Sequence, residues 1–296
     1  MTAWTYLFRP VNIRCAYPGA ALEPSKNEPF VRPDRTMHAI EYGLGLPKHA
    51  YMGKSTANHT EMERHRFRAP ISANSARSKS QIVRRVCEAL ELEYGRPRHG
   101  NPKDPLDDLI SIMLSNKTGP AMAGTVYREL KTRFDTWDDV LSRPASTLER
   151  MLRPAGLSRI RSSQIRSTLK RIRSDFTSCN LDGLRKLSPS EAQSYLTSLA
   201  GVSDKVAKCV LMYTCGAEVL PVDSHVHRVA TRLGWTVRKR ADQCHEELEA
   251  LVPPYRRYAF HVDCVAHGRL VCRPANPSCS TCCVKRYCYY YQHEVR

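Results

Sequence analysis

The sequence predicts an all-α protein. From about residue 80 onward, apolar residues recur at intervals of three and four, which is the period of a helix with one buried face. Prolines and capping residues stand where such helices begin. No alternating polar and apolar run bounded by turn residues predicts a strand. The chain has 296 residues, which suggests two domains or one large one, and 42% of them are hydrophobic, which is enough for a proper core.

The charge favours a polyanionic partner. The chain carries 46 Lys+Arg against 29 Asp+Glu, a formal net charge of +17, and nucleic acid is the first candidate. A membrane surface is not expected, because no basic amphipathic helix has a rich apolar face and no run is apolar enough to span a bilayer. The 12 cysteines concentrate near the C-terminus in a pattern that resembles a metal site. This usage predicts a reducing, intracellular compartment, the cytoplasm or nucleoid in a bacterium or archaeon.

Residues 1–78 differ from the rest of the chain. They are rich in Pro, Asn, Ser, His and Arg and have no sustained periodicity. This composition predicts a basic, disordered extension. A mistaken upstream start codon would produce the same pattern.

Start and stop signals define the first helices. One helix begins near Ser80 and stops at Gly95. Asp104 and Pro105 suit the N-cap and the first position of the next helix, and Pro120 opens the third. Each of these segments carries an apolar stripe that predicts one buried face.

Capping boxes mark the later helices. A Ser/Thr-x-x-Asp/Glu pattern at Thr136 and at Ser146 predicts two short helices, and Ser188 opens another. A long basic helix is expected over residues 158–176, with Ile160 among its inward residues. Further helices are expected near residues 223–234, 240–251 and 254–271.

Two residues of the segment 199–234 are candidates for chemistry. A tight turn, Gly201-Val202-Ser203, precedes a helix whose first turn holds Lys205, and Asp223 begins a later helix. Backbone N–H groups at a helix N-terminus can bind a phosphate. The helix dipole and burial would favour a neutral amine at Lys205. From the residues alone, a phosphate-contacting lysine and an ordinary N-cap remain open alternatives.

Four cysteines near the C-terminus predict a metal centre. They are spaced C-x6-C-x2-C-x5-C, which permits a [4Fe–4S] cluster or a tetrahedral zinc. One close pair flanked by two singletons fits the wider thiolate separation of the cluster better, with zinc as the alternative. Cys264 and Cys283 are expected to be spectators. The predicted ligands are Cys272, Cys279, Cys282 and Cys288.

Three motifs together resemble the endonuclease III family of helix-hairpin-helix DNA glycosylases. They are LAGVSDKVA, PVDSHVHRVATRLG and the cysteine spacing, and their order and separations also match. The resemblance covers roughly residues 80–290. It implies a [4Fe–4S] cluster rather than zinc.

The resemblance implies two helical lobes that flank a DNA-binding cleft. One would be a six-helix barrel with the helix-hairpin-helix, residues 106–221. The other, an iron–sulfur cluster lobe, would combine residues 79–105 and 222–296. The family's catalytic lysine falls on Lys205 and its catalytic aspartate on Asp223, one from each lobe.

The implied activity is base-excision DNA repair by a bifunctional N-glycosylase with AP lyase activity. The substrate would be double-stranded DNA with a damaged base, an oxidised pyrimidine, or an abasic site, and the protein is expected to be a monomer. Lys205 would attack C1′ and β-elimination would follow. The alternatives are a mismatch-specific glycosylase of the same superfamily and a non-catalytic DNA-binding protein that keeps hairpin and cluster as a scaffold.

Several DNA contacts are also implied, some at positions that depart from the family. Ser203 replaces a glycine, where a positive φ would be costly, and Asp204 places a carboxylate near the expected phosphate. Asn116 and Lys117 stand where the family fills the hole left by a flipped base. The full set of expected contacts is Gly201, Val202, Ser203, His225, Asn116, Lys117 and Arg273.

Overall fold

The structure is a computed structural model that describes residues 76–97 and 101–295. Apart from its last three residues, the predicted basic extension lies outside the described residues. All regular structure in the described part of the chain is helical, so the predicted all-α class is confirmed. No helix among these residues is long and apolar enough to cross a bilayer. The α-helices are α1 Ala76–Tyr94, α2 Pro105–Ser115, α3 Pro120–Arg133, α4 Trp137–Ser142, α5 Ala145–Leu152, α6 Ser158–Phe176, α7 Pro189–Thr197, α8 Asp204–Thr214, α9 Ser224–Arg232, α10 His245–Leu251, α11 Arg257–Leu270 and α12 Tyr289–Glu294.

Most of the predicted helix starts are present. Asp104 accepts a hydrogen bond from the Asp107 N–H at 2.8 Å, and both halves of the capping boxes at Thr136 and Ser188 are formed. The expected box at Ser146 is wrong. Helix α5 already begins at Ala145, so Ser146 lies inside the helix and no side chain caps it.

The later helices differ from the sequence pattern in three places. Ile160 is exposed rather than inward, because α6 starts from a left-handed Leu157 and buries the face that begins at Arg161. The expected helices at 240–251 and 254–271 each open with a short 3₁₀ turn, which leaves α10 and α11 shorter than predicted. Helix α12 was not predicted.

Two clusters of buried apolar side chains form the core. The first draws its members from Leu106 to Val219, mainly from α2 to α8. The second combines α1 with residues between Leu220 and Cys288. Each fully buried leucine contributes roughly 2 kcal/mol by leaving water. The two clusters divide the described helices into two groups, and the expected lobe boundary at residues 106 and 222 stays a prediction.

Helix packing brings the candidate residues together. Helix α8 packs against α2 and α7, and α11 packs against α1 and α9. The start of α8 carries Lys205, and the start of α9 carries Asp223. Helices α8 and α9 bury their apolar residues in different clusters, and the charges of Lys205 and Asp223 interact.

Candidate active site

A tight turn joins α7 to α8 and forms the predicted hairpin. Gly201 has a φ of 78°, in the left-handed region that residues with a side chain rarely adopt. A Cβ atom there would lie 2.7 Å from the side chain of Gln164 on α6. The Thr168 hydroxyl, also on α6, donates to the Ala200 carbonyl at 3.0 Å. Helix α6 therefore fixes the turn, while Gly201 itself is exposed.

Ser203 and Asp204, which differ from the family's hairpin pattern, do not distort the turn. Ser203 has a φ of −92° and a ψ of 167°, which is ordinary extended backbone, because the positive φ falls on Gly201 instead. The Ser203 side chain makes no capping bond to α8. The Asp204 carboxylate accepts a hydrogen bond from Gln193 Nε2 at 3.1 Å, which turns it toward α7. Val202 is buried and anchors the turn in the first apolar cluster.

Helix α8 carries two lysines with opposite surroundings. Lys208 is 5% exposed and forms an ion pair with Glu249. Lys205 is half-buried, and its charge acts on the carboxyl groups of Asp108 and Asp223. Lys208 therefore has a fixed carboxylate partner, whereas the charge of Lys205 acts on two carboxyl groups, of which that of Asp108 is fully buried.

Asp223 is the N-cap of α9. Its Oδ1 accepts hydrogen bonds from the N–H groups of His225 at 2.9 Å and Val226 at 2.8 Å. Burial by itself raises the pKa of the Asp223 carboxyl. The charge of His261, the Val226 N–H and the charges of His225 and Lys205 outweigh burial, so this pKa lies below its ordinary value. Asp223 is therefore both the cap of α9 and a negative charge beside Lys205.

A buried imidazole lies under this pair. His261, from α11, is 2% exposed, and its Nδ1 is 2.9 Å from the Pro221 carbonyl oxygen. Burial lowers the pKa of His261, and the Asp223 carboxylate acts in the opposite direction. The ring joins α11 to the segment that ends at Asp223 and so helps to position that carboxylate.

His225 is held rather than solvated. Arg228 Nη2 lies 3.0 Å from His225 Nδ1 and donates to the Gly268 carbonyl at 2.8 Å. A Cβ atom at Gly268 would lie only 2.6 Å from His225 Nδ1. Burial lowers the pKa of His225, with the Asp223 charge opposing it. The expected contact of His225 with DNA stays a prediction.

A buried arginine fixes the loop that carries Asn116 and Lys117. Both of these residues are exposed, and Lys117 has a φ of 60°. Arg161 is 5% exposed and donates to the Asn116 carbonyl. It also donates to the carbonyls of Ala155 at 2.7 Å and Gly156 at 3.1 Å. One guanidinium therefore ties two loops together.

Sequence reasoning missed two residues near this site. Leu157, in the second of the tied loops, is 53% exposed with a φ of 52°. An apolar residue directly after a helix-breaking Gly156 was its signal. Asp108 is fully buried on α2, where an acidic residue between the inward positions Leu106 and Leu109 breaks the apolar stripe. That break was the available signal for Asp108.

The four predicted ligand cysteines line one cavity between α9, α11 and the C-terminal loops. Arg232 Nη1 donates to the Cys272 sulfur at 3.2 Å, and the Cys288 thiol donates to the Arg232 carbonyl at 3.2 Å. The Cys282 sulfur lies 3.5 Å from His267 Nε2. The eleven described cysteines are all free thiols. The four thiols are thus available on the walls of a common cavity.

The donor set of four thiols is one that a [4Fe–4S] cluster or a tetrahedral zinc can take. In residues 76–97 and 101–295, no group of three or more His, Cys, Asp or Glu side chains is placed to hold one metal ion. A tetrahedral zinc needs four ligands at about 2.0–2.3 Å from one point, whereas a cubane binds each thiolate at a separate iron. Four thiols on the walls of one cavity are thus a donor set that fits the expected cluster, and zinc stays the alternative.

Arg273 follows the first of these cysteines. Its Nη2 donates to the Asn276 carbonyl at 3.0 Å and to the Ser278 hydroxyl at 3.2 Å. These bonds shape the loop between Cys272 and Cys279. The expected contact of Arg273 with DNA stays a prediction.

Comparisons with known proteins relate this chain to base excision DNA repair proteins. Residues 110–254 match a family described as HhH-GPD superfamily base excision DNA repair protein. A protein of Arabidopsis thaliana, provisionally named a DNA glycosylase, is 31% identical over 179 residues, covering 60% of this chain and 58% of its own length. Endonuclease III of Thermotoga maritima is 27% identical over 204 residues, covering 69% of this chain and 92% of its own length. A solved non-covalent endonuclease III–DNA complex shares the fold, with a TM-score of 0.65 at 24% identity over 73% of this chain and 98% of the solved chain.

Proposed function

We propose that this chain is a DNA glycosylase that also cleaves the DNA strand at the resulting abasic site. The chain is similar to endonuclease III, and its residues 110–254 match the HhH-GPD superfamily of base excision DNA repair proteins. Its substrate class is double-stranded DNA with a damaged base, which we take to be an oxidised pyrimidine. The relatives' names and the match over residues 110–254 support the glycosylase. The strand cleavage rests on Lys205.

One observation carries the proposal: a half-buried lysine whose charge acts on a carboxylate from the other apolar cluster. Lys205 stands in the first turn of α8, where the helix dipole disfavours an ammonium. Asp223 keeps its negative charge because two backbone N–H groups and nearby cations stabilise it. An amine nucleophile beside a fixed carboxylate suits attack on a sugar carbon that becomes positively charged.

The reaction follows from these two groups. A damaged base costs less to flip out of the duplex than an intact one. The Lys205 amine attacks C1′ of the flipped nucleotide, and the base departs with the electron pair of the glycosidic bond and a proton. The sugar ring then opens to an imine between Nζ and C1′. Loss of a C2′ proton expels the 3′ phosphate, which cuts the strand, and water hydrolyses the imine. Asp223 stabilises the positive charge on the sugar and assists the proton transfers.

The surrounding residues suit DNA binding. The turn at Gly201, held by α6, presents backbone N–H groups at the start of α8, where a phosphate binds well. The two loops tied by Arg161 present Asn116, Lys117 and the exposed Leu157. Polar side chains can replace a flipped base, and apolar side chains can enter the base stack.

The four cysteines are proposed to hold a [4Fe–4S] cluster, with zinc as the alternative. When bound, the cluster would cross-link residues 272–288 through Cys272, Cys279, Cys282 and Cys288. Arg232 supports these ligands by donating to the Cys272 sulfur and to the loop carbonyls that follow it.

Borohydride trapping tests the proposal. Duplexes that contain an oxidised pyrimidine or an abasic site are mixed with the protein and reduced, and the covalent adduct is measured. The full chain should form the adduct, Lys205→Ala should form none, and Asp223→Asn should slow it about 100-fold because asparagine keeps the cap but not the charge. Lys186→Ala, at an exposed lysine outside the site, is the control.

The other functions predict other outcomes. A non-catalytic DNA-binding protein would bind the duplexes without an adduct on any lesion. A mismatch-specific glycosylase would release a base from a mismatched duplex and leave oxidised pyrimidines intact. An adduct that persists in Lys205→Ala would show that another amine is the nucleophile.

A further inference from the structure

One lysine of α8 is buried among the apolar residues that this helix contributes to the core. Lys208 is 5% exposed, and its Nζ forms an ion pair with Glu249 on α10. Burying charges costs free energy, and a pair of apolar side chains of similar size often stabilises a fold as well or better. The proposed chemistry does not use Lys208. Its burial therefore calls for an explanation other than stability.

Glu249 also binds a second cation, Arg257 at the start of α11. Arg257 Nη1 lies 3.3 Å from Glu249 Oε1, and Arg257 Nη2 donates to the Glu249 carbonyl. The side chains of Glu249 and Arg257 are mostly buried, with 19% and 16% exposed. Lys208, Glu249 and Arg257, called the ion triad from here on, thus join α8 to α10 and α11.

The ion triad also reaches the segment that joins α8 to α9. This crossing segment, residues 215–223, passes from the first apolar cluster to the second. Arg257 Nη1 donates to the carbonyl of Glu218 in the segment. His261, on the same helix as Arg257, has its Nδ1 2.9 Å from the Pro221 carbonyl oxygen. Helix α11 therefore holds the crossing segment at two carbonyl groups.

This arrangement relates the two residues of the candidate site. Lys205 and Lys208 stand three residues apart on α8, so a displacement of the helix at Lys208 also moves Lys205. Asp223 is the last residue of the crossing segment, whose carbonyl groups are bound by α11. The ion triad therefore connects the helix that carries the lysine with the segment that carries the aspartate.

We propose that Lys208, Glu249 and Arg257 are positioning residues that set where Lys205 stands relative to Asp223. The ion pair fixes α8 against α10, and Arg257 fixes the crossing segment against the same glutamate. A nucleophile and its electrostatic partner need a narrow range of geometry, since a displacement of about 1 Å can slow a reaction about 100-fold. The effect on chemistry rests on the proposed function, whereas the connection between α8 and the crossing segment does not.

Amide hydrogen exchange, followed by mass spectrometry on the full chain, tests the connection. The double variant Lys208→Met with Glu249→Leu replaces the ion pair with apolar side chains, which should leave the thermal midpoint close to that of the unmodified protein. Exchange in α8 and in the crossing segment should nevertheless become about tenfold faster, because the bonds that restrain them are weakened. The matched control is Glu246→Gln, at an exposed glutamate of the same helix α10. Unchanged exchange in the double variant would overturn the proposal.

Trapping kinetics test the consequence for chemistry. Single-turnover borohydride trapping on an abasic-site duplex is measured well below the thermal midpoint of each protein. The double variant should react about tenfold more slowly, while its affinity for a duplex with an uncleavable abasic-site analogue changes less than about twofold. Glu249→Gln should stay within about threefold of the unmodified protein, because the amide oxygen still accepts a hydrogen bond from Lys208. A merely structural pair predicts instead that the double variant, once folded, reacts at the full rate, and that result would reject the positioning role.

The failures remain distinguishable. If the unmodified protein forms no adduct on any lesion, the proposed function fails, while hydrogen exchange still decides the connection. Should the double variant fold poorly, Arg257→Lys is the second test, because lysine keeps the charge beside Glu249 but loses the fork that also reaches the Glu218 carbonyl. Faster exchange of the crossing segment in Arg257→Lys supports the proposal, and unchanged exchange rejects it.

Discussion

The helices α2 to α8, which bury the first apolar cluster and are called the barrel here, and the C-terminal segment 271–295 are built by different means. The barrel consists of helices of up to 19 residues with many fully buried leucines and isoleucines. Segment 271–295 has two 3₁₀ turns and one six-residue helix, and only Val284 and Cys288 are buried in it. The first region therefore has an apolar core of its own, whereas the second does not.

Polar contacts add to the few apolar side chains by which the second region joins the second apolar cluster. Arg228 Nε donates to the Cys272 carbonyl at 2.8 Å. Arg232 donates to the carbonyls of Arg273 at 2.8 Å and Pro274 at 3.0 Å. Such bonds to exposed loops contribute little on their own, because water competes for them. We therefore expect the segment to depend on the cross-link that the proposed cluster would make through its four cysteines.

The largest expected effect is therefore the loss of one cluster ligand. Cys282→Ser should abolish the broad visible absorbance of an iron–sulfur protein and expose residues 271–295 to proteolysis, while the barrel stays folded. Iron content, absorbance and limited proteolysis measure these changes. The control is Cys283→Ser, which removes the adjacent thiol and should retain full iron.

Two outcomes would contradict this account of segment 271–295 and its ligands. If Cys282→Ser resists proteolysis as well as the unmodified protein does, the arginine contacts suffice and no cross-link is needed. If Cys283→Ser loses as much iron as Cys282→Ser, Cys283 is a ligand rather than a spectator.

The next effect falls on the barrel and should leave the cluster intact. Arg161→Met removes the donor of three hydrogen bonds to carbonyls of two loops. A hydrogen bond from a charged donor contributes about 1.5–3 kcal/mol. The three bonds restrain the same two loops, so their contributions do not add in full. We therefore expect the free energy of unfolding to fall by about 3 kcal/mol. Thermal unfolding followed by circular dichroism measures the loss, and the visible absorbance should not change.

The conservative variant sharpens this test. Arg161→Lys keeps the charge but loses the fork that reaches two loops at once, and it should recover less than half of the loss. Full recovery by lysine would show that charge alone holds the loops. A change in iron content in either variant would show that the two regions are not independent.

The contrast between the two regions also explains which features the sequence predicted correctly. Apolar periodicity and capping boxes located the barrel helices within a few residues, because these elements are determined by local signals such as Ser188 with Glu191. The prediction for Ser146 was wrong because α5 begins at Ala145. The prediction for Ile160 was wrong because α6 buries a different face. The cysteine spacing predicted a set of ligands but no geometry. The full burial of Asp108 was not predicted, because it depends on packing between helices that are distant in sequence.

The roles of the site residues and the lobe boundary at residues 106 and 222 stay predictions. Local patterns identify Lys205 and Asp223 as candidates, yet neither capping nor periodicity distinguishes a catalytic lysine from one that contacts phosphate. That distinction depends on the surroundings of the amine, which arise from α2, α9 and α11 together.

The smallest expected effect concerns the second buried carboxyl. Asp263 on α11 is fully buried, and neither carboxyl oxygen has a hydrogen-bond partner from a side chain in the described residues. Burial and the charge of Glu91 raise the pKa of Asp263 to about 7, against the backbone N–H and the charge of Arg96. Asp108 and Asp263 thus place one costly carboxyl in each of the two apolar clusters.

The sign of the pH dependence follows from that shift. Because the folded-state pKa lies above the ordinary value of 3.8, the folded protein holds a proton that the unfolded chain has released, and stability falls as pH rises from about 4 to 7.

The variant Asp263→Asn has no carboxyl group at this position and therefore no such penalty. It should match the unmodified protein near pH 4 and exceed it by about 2 kcal/mol at pH 8, as measured by thermal unfolding. A gain equal at both pH values would indicate repacking instead of ionisation. Because Asp263 has no role in the proposed chemistry, Asp263→Asn should leave borohydride trapping unchanged.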